Sequence, residues 1–318
     1  MNAFFGLSAI CGVLACCAAP QEERFVTEGV NAAFSPDGRL IAFQRLDGEV
    51  FKIGVVGLDD NNIKWIEQGP GMAAYPVWTP TGGLLYTWGY DPQTSFQAWK
   101  SHSDTGYGLR LYENGKKRNL TSGRCHDYTP DVSPDGKNVV FATTRWVAMR
   151  TNYIARVSAS DIAEVDIDGG KPRLLLASSG KCNEGFVQPA ISPDGKMLVW
   201  GYLENFSVSW RIFGAKMPNP AVAERRQISP SGMSALSPRW HPNGKIICFT
   251  GFRKGDPGWG VWVEEIEAGQ VKRLVTGENP CFSPNGRLLA YDRDRKIYVR
   301  PFDIKVFQSI IKQGEGGK

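Results

Sequence analysis

Histidine is scarce in this chain: three of 318 residues, His102, His126 and His241. That argues against a His-rich metal centre, and no metal or cofactor is expected. No Gly-x-Ser-x-Gly string occurs. The nearest, Gly232-Met233-Ser234-Ala235-Leu236, fails at its last position, so a nucleophile elbow is absent. No block of basic residues occurs either. The 37 Lys and Arg are offset by 32 Asp and Glu, and the net charge of +5 is spread along the chain, so nucleic acid is not an expected partner. The apolar stretch at residues 3–15 is too short to span a bilayer. The acidic segment from Asp166 to Lys171 has Ala177, not Glu, at the twelfth position of a calcium loop, and reads as a hairpin turn.

What the chain does have is a repeat. Ser35-Pro36-Asp37-Gly38 lies inside the phrase Asn31 to Phe43, and the phrase returns at Tyr75 to Tyr86, Thr129 to Phe141, Gln188 to Trp200, Ser237 to Phe249 and Asn279 to Tyr291. Pro presets φ at the second turn position, Asp or Asn tolerates the third, and Gly closes the turn. The second copy varies this as Thr79-Pro80-Thr81-Gly82-Gly83, and His241 replaces the turn Ser in the fifth. A bulky apolar residue precedes each turn: Phe34, Trp78, Val132, Ile191, Trp240 or Phe282. A nearly continuous apolar run follows, such as Leu40-Ile41-Ala42-Phe43, which marks a strand buried on both faces.

The turn prolines Pro36, Pro80, Pro134, Pro193, Pro242 and Pro284 are 42 to 59 residues apart. A four-stranded propeller blade takes about 40–45 residues, so the longer intervals are blades with inserted loops. No polar end cap of an open solenoid is evident. The fold class that follows is all-β: a six-bladed β-propeller with four antiparallel strands per blade. It is expected over residues 24–312, with a flexible tail at 313–318. Arg24-Phe25-Val26-Thr27 at one end and Val306 to Ile311 at the other compete to close the ring.

Residues 1–15 read as a secretory signal and 16–23 as a linker. Val13-Leu14-Ala15-Cys16 resembles a bacterial lipobox, in which Cys16 is lipidated and becomes the new N-terminus, although Met1-Asn2 carries no basic residue. Simple secretion and an uncleaved start are the competing readings. An exported protein, periplasmic or membrane-anchored, tolerates disulfides. Cys125 and Cys182 precede inner strands of neighbouring blades and are expected to form one, two free thiols being the alternative. Cys248 and Cys281 lie in apolar strands as small hydrophobes.

The outer strands end in Arg118-Asn119-Leu120-Thr121-Ser122-Gly123 and Arg273-Leu274-Val275-Thr276-Gly277. Together with the Ser-Pro-Asp-Gly turns, these resemble the TolB-type propeller, over essentially residues 24–312. The resemblance implies the propeller without the α/β domain that precedes it in TolB. The motif residues are structural, so the resemblance speaks to architecture more than to function.

Insertions fall between the second and third strands, at Tyr90 to Tyr107, Arg145 to Ser160, Gly201 to Trp210 and Arg253 to Trp259. They are expected on the same face as the loops leading into the inner strands, which gathers Trp99, Trp259, Arg124, His126 and Tyr128. Asp131 and Arg239 occupy an inner-strand position that is Ala33, Val77, Ala190 or Cys281 elsewhere, so they are candidates to face the channel. The first functional reading is a non-catalytic exported scaffold that binds an envelope protein or glycan and meets membrane only through a lipid anchor. The second is a glycan-active enzyme using Asp131, Asp127 or Glu184. The oligomeric state is not legible.

Overall fold

The computed structural model describes residues 22–315 except 49, 70, 90–105, 124, 148–158, 180–183 and 204–208, and for 310–315 it describes the backbone only. The described strands form six four-stranded sheets. Blade 1 runs from the channel outward as Val30–Phe34, Leu40–Asp47, Val50–Gly57 and Ile63–Glu67. Blades 2 to 5 repeat it, with inner strands Met72–Trp78, Asp127–Val132, Gly185–Ile191 and Met233–Trp240. Blade 6 contributes Glu278–Phe282, Leu288–Arg293 and Lys296–Pro301. Its fourth strand is the first of the chain, Arg24–Glu28, paired antiparallel with Lys296–Pro301.

The repeated turn explains each corner. Ser35 Oγ donates to Asp37 Oδ1 at 2.6 Å and accepts from the Leu40 amide at 2.9 Å, while Asp37 Oδ1 accepts from the Arg39 amide. Gly38 closes the turn at φ +73°, where a Cβ would be strained. Ser133, Ser192 and Ser283 repeat this network. In blade 5 the hydroxyl is missing and a different bond takes its place: His241 Nδ1 accepts from the Asn243 amide at 3.2 Å, while Asn243 Oδ1 accepts from the Lys245 amide. The second strands are buried on both faces: Ile41, Ala42 and Phe43 have no exposure, nor have Ile246, Ile247, Cys248 and Phe249. The core is therefore a set of clusters between adjacent blades, with Phe249 and Trp262 of blade 5 meeting Val199 and Ile212 of blade 4.

A second regularity stitches the blades around the channel. In every inner strand one residue is left-handed, at φ between 49° and 55°: Asn31, Tyr75, Thr129, Gln188, Ser237 and Asn279. Each sits in a register break, where the ladder loses its pairing and an amide turns toward the preceding blade. A buried amide needs an acceptor. Gln44 serves Tyr75, Thr87 serves Thr129, Thr250 serves Asn279 and Asp292 serves Asn31, at 2.7 to 3.2 Å. These four acceptors hold equivalent positions on second strands. In blades 3 and 4 that position is Ala142 or Gly201, which carry no acceptor. There the inner strand substitutes: Thr129 Oγ1 accepts from the Gln188 amide, and Gln188 Oε1 from the Ser237 amide. Gln188 Nε2 also donates to Ser237 Oγ at 2.7 Å. Replacing Gln188 with Ala strands the Ser237 amide and is expected to cost about 1–3 kcal/mol. A urea unfolding curve with an unshifted midpoint would contradict this.

The ends differ from expectation in one respect. The N-terminal strand closes the ring, but Val306 to Ile311 is not its competitor. The last strand stops at Pro301, short of residue 312, and Ile304–Glu315 is a helix. Asp303 caps it, its Oδ1 accepting from the Lys305 and Val306 amides. Phe307 packs against Phe302 between blades 5 and 6. The apolar run misleads because Ile304, Phe307 and Ile311 also fit a helical period. Residues 316–318 of the expected tail lie outside the described residues.

Candidate functional site

The six inner strands enclose a cavity of about 160 Å³. Its wall carries the left-handed ring residues Asn31, Tyr75, Gln188, Ser237 and Asn279, and nearer the Ser-Pro-Asp-Gly turns it carries Asp131 and Arg239. Both residues therefore face the channel, as the sequence suggests. Asp131 Oδ2 accepts from the Ile191 amide of blade 4 at 2.8 Å, and Arg239 Nη1 donates to the Pro238 carbonyl at 2.9 Å. No ion pair within 4.0 Å joins the two among the described residues. Removal from water pushes the Asp131 carboxyl up to about 6, against the pull of Arg239. Burial likewise pushes Asp292, in the ring, up to about 7, against the hydrogen bonds from Asn31 and Asn279. Both folded values lie above the ordinary 3.8. The folded protein thus holds extra protons between about pH 4 and pH 7, and their stabilising contribution is lost as pH rises through that window. The Asp292→Asn variant is expected to flatten this fall. A wild-type melting temperature that climbs from pH 4 to pH 7 no less steeply than the variant's would contradict it.

The opposite end of the disc carries the loops. His126 leads into the inner strand of blade 3 with its ring 5.2 Å from that of Tyr107. Burial holds its imidazole below the ordinary value, against the nearby Asp127. Tyr128 is half-buried, and desolvation pushes its hydroxyl up to about 12. Trp259 packs on Phe252 at 5.8 Å, in blade 5. Trp99 and Arg124 lie outside the described residues. The structure thus divides the sequence-derived set in two: Asp131 and Arg239 share the channel, whereas His126 and Trp259 sit on separate blades at the looped end. Cys125 is a half-buried thiol pushed up by burial. Cys182, its expected partner, lies outside the described residues, as does Cys16.

Two of the three candidate carboxylates serve the fold. Asp127 is fully buried, ion-paired with Arg145 and hydrogen-bonded by Thr143 Oγ1 at 2.7 Å. Glu184 accepts from the Ser179 amide and from the Tyr202 hydroxyl at 3.1 Å. Among the described residues, Asp131 is the one carboxylate lining the channel cavity. Sequence reading missed the polar ring, whose signal was an X-Pro pair in five of six inner strands. It also missed a 370 Å³ cavity at the looped end of the closure seam, lined by Arg45, Arg295 and Lys296 over Val30, Leu46 and Phe51, with Glu28 and Asp294 beside them. Among the described residues no group of three or more His, Cys, Asp or Glu is placed to hold a metal ion.

No family model and no curated protein matches this chain. Solved structures do. TolB from Acinetobacter baumannii superposes with a TM-score of 0.59 at 18% identity over 88% of this chain. The chain spans 64% of that protein, less than two thirds. A protein assigned as TolB from Agrobacterium tumefaciens gives a TM-score of 0.60 at 19% identity, over 90% of this chain and 92% of the other. An oligogalacturonate lyase in complex with manganese gives 0.55 at 15% identity, over 88% and 79%. At these identities the likeness is one of fold: the chain folds as a TolB-like propeller, a scaffold it shares with enzymes.

Proposed function

We propose that this chain is a non-catalytic binding scaffold of the cell envelope, exported and held by lipid on Cys16, which engages a protein or glycan through its looped face and channel. One observation carries the reading. The channel wall presents a separated acidic and basic side chain, Asp131 and Arg239, amid hydrogen-bonding side chains, with no second carboxylate lining the cavity among the described residues. Glycoside hydrolysis needs two carboxyl groups about 5–10 Å apart, and the other sequence candidates, Asp127 and Glu184, are locked in internal contacts. Among the described residues no cluster of His, Cys, Asp or Glu is placed to hold a metal ion such as the manganese in the lyase complex.

The size of the cavity sharpens the reading. Pockets that enclose a whole drug-sized ligand occupy about 300–1,000 Å³, and the channel cavity offers about 160 Å³. The channel therefore receives a terminal group or a side chain of a larger partner seated on the looped face. Immobilised protein is expected to retain an envelope component, and Arg239→Ala with Asp131→Ala to release it, weakening binding about tenfold or more for loss of one charged hydrogen bond of about 1.5–3 kcal/mol. Equal retention by the double variant would remove the channel from the proposal.

A further inference from the structure

We infer that the looped face is turned away from the membrane that anchors the protein, so that it is presented to the space beyond that membrane and not to the anchoring bilayer. The inference rests on the proposed lipid on Cys16 and adds a direction to it.

The direction comes from one strand. Arg24–Glu28 runs antiparallel to Lys296–Pro301 and passes through Gly29 into the inner strand Val30–Phe34, which ends at the Ser35 turn. Glu28 is therefore at the looped end, and the chain before Arg24 leaves toward the turn end. Side chains agree with this path. Arg24 Nη1 donates to the carbonyl of Leu58 at 2.7 Å, and Leu58 follows the third strand of blade 1 on the turn side. Glu23 is fastened to the Tyr291 hydroxyl and to Arg293, so the exit is fixed up to that residue.

Length then decides what the tether permits. Six peptide steps separate Cys16 from Glu22. Fully extended they reach about 22 Å at about 3.6 Å per residue. The longest strands have eight residues, as in Leu40–Asp47 and Ile246–Arg253; their seven steps at about 3.4 Å are about 24 Å, and the corner turns and the loops add to the thickness of the disc beyond that. A tether leaving the turn side cannot cross that thickness and still lay the looped face on the bilayer. The turn side, or the rim beside it, is what meets the membrane. The C-terminal helix Ile304–Glu315 follows Pro301 on the same side, with Val306 53% exposed.

One strand supplies the ruler for the test. Lys245 and Lys254 flank the strand Ile246–Arg253 of blade 5, both exposed, one at the turn end and one at the looped end. A fluorophore would be placed at either position through a genetically encoded handle, in the full-length protein carried in vesicles that contain acceptor-labelled lipid. Energy transfer from position 245 is expected to exceed that from 254 several-fold. A second arm keeps the tether length but replaces residues 11–16 with six histidines, removes residues 1–10, and uses vesicles with a nickel-chelating lipid. If no lipid is found on Cys16 by mass spectrometry but the tagged arm gives the same order, the anchor reading falls and the orientation stands. Equal transfer from both positions in the tagged arm, or more from 254, overturns the orientation.

Discussion

A chain lacking residues 22–28 is expected to lose its single cooperative thermal transition near neutral pH. Those residues supply the outer strand of blade 6, and with it the covalent link between the first blade and the last. Val26 is 4% exposed within the cluster that joins blades 6 and 1. Arg45 of blade 1 donates to the Glu28 carbonyl and to Thr27 Oγ1, and Arg24 to the Leu58 carbonyl. Burial of a valine contributes about 1.5–3 kcal/mol, and each intramolecular hydrogen bond contributes about 1 kcal/mol net. With the strand ladder included, the loss is on the order of 6 kcal/mol, comparable with the whole stability of a domain, about 5–15 kcal/mol. Val26→Asp is the point version: it puts a carboxylate where the two blades meet. A deletion variant that melted as sharply as the intact protein, at the same temperature by circular dichroism, would mean that the ring is closed by something other than this strand.

Glu67→Ala should be the costliest single truncation outside the apolar clusters. Glu67 lies between blades 1 and 2, almost wholly buried, and accepts from the Tyr86 hydroxyl at 2.9 Å, from Arg110 at 3.1 Å and from Lys117 at 3.0 Å. Arg110 in turn lies 3.4 Å over the ring of Trp88. Removing the carboxylate leaves a buried hydroxyl and a largely buried guanidinium without their acceptor, at a cost of about 3–5 kcal/mol. Glu67→Gln, which keeps the hydrogen bond to Tyr86, should cost less. Burial alone pushes Glu67 up, but Lys117, Tyr86 and Arg110 outweigh it and hold the carboxyl below its ordinary 4.5. A depressed folded value gives stabilisation that is present above the ordinary value and lost as pH falls through the acid range. The destabilisation by Glu67→Ala should therefore shrink on acidification. A penalty that stays constant down to pH 3 would assign it to lost packing and not to the charge.

The two ionisable systems bend the stability curve in opposite senses. Asp131 and Asp292 favour the folded state at lower pH, and Glu67 favours it at higher pH. Asp131 lines the channel and Asp292 lies buried on a second strand, and at neither do the amide donors offset burial. Glu67 accepts from the Tyr86 hydroxyl and from two cations, Arg110 and Lys117, which do.

The architecture was legible because its determinants are local. Ser-Pro-Asp-Gly fixes a corner within four residues, and the doubly buried strand declares itself as Ile246-Ile247-Cys248-Phe249 without any partner being known. Asp131 and Arg239 were legible for a related reason: a charge in a repeat position otherwise held by Ala, Val or Cys stands out by comparison within the chain. The polar ring was not legible, because each acceptor lies 13 to 261 residues from its donor, as with Asn279 and Asn31 toward Asp292. Its two substitutions, where Ala142 and Gly201 replace the acceptor, make sense only once neighbouring blades are seen together. The fate of Asp127 was hidden likewise. Its partner Arg145 is 18 residues away across an inner hairpin, so a carboxylate at a loop edge looked free when it is fully committed. The C-terminal helix escaped because Val306 to Ile311 satisfies both a strand and a helix, and capping by Asp303 decides it.

What separates a binding scaffold from an enzyme here is whether the channel binds without reacting. The direct measurement is to incubate the intact protein and its Asp131→Asn variant with a panel of envelope and plant-wall polysaccharides, and to quantify retained and cleaved material in the same chromatographic run. A binding channel gives retention without new reducing ends or unsaturated products, with retention weakened in the variant. Products formed by the intact protein and abolished by Asp131→Asn would contradict it and make the channel a catalytic site.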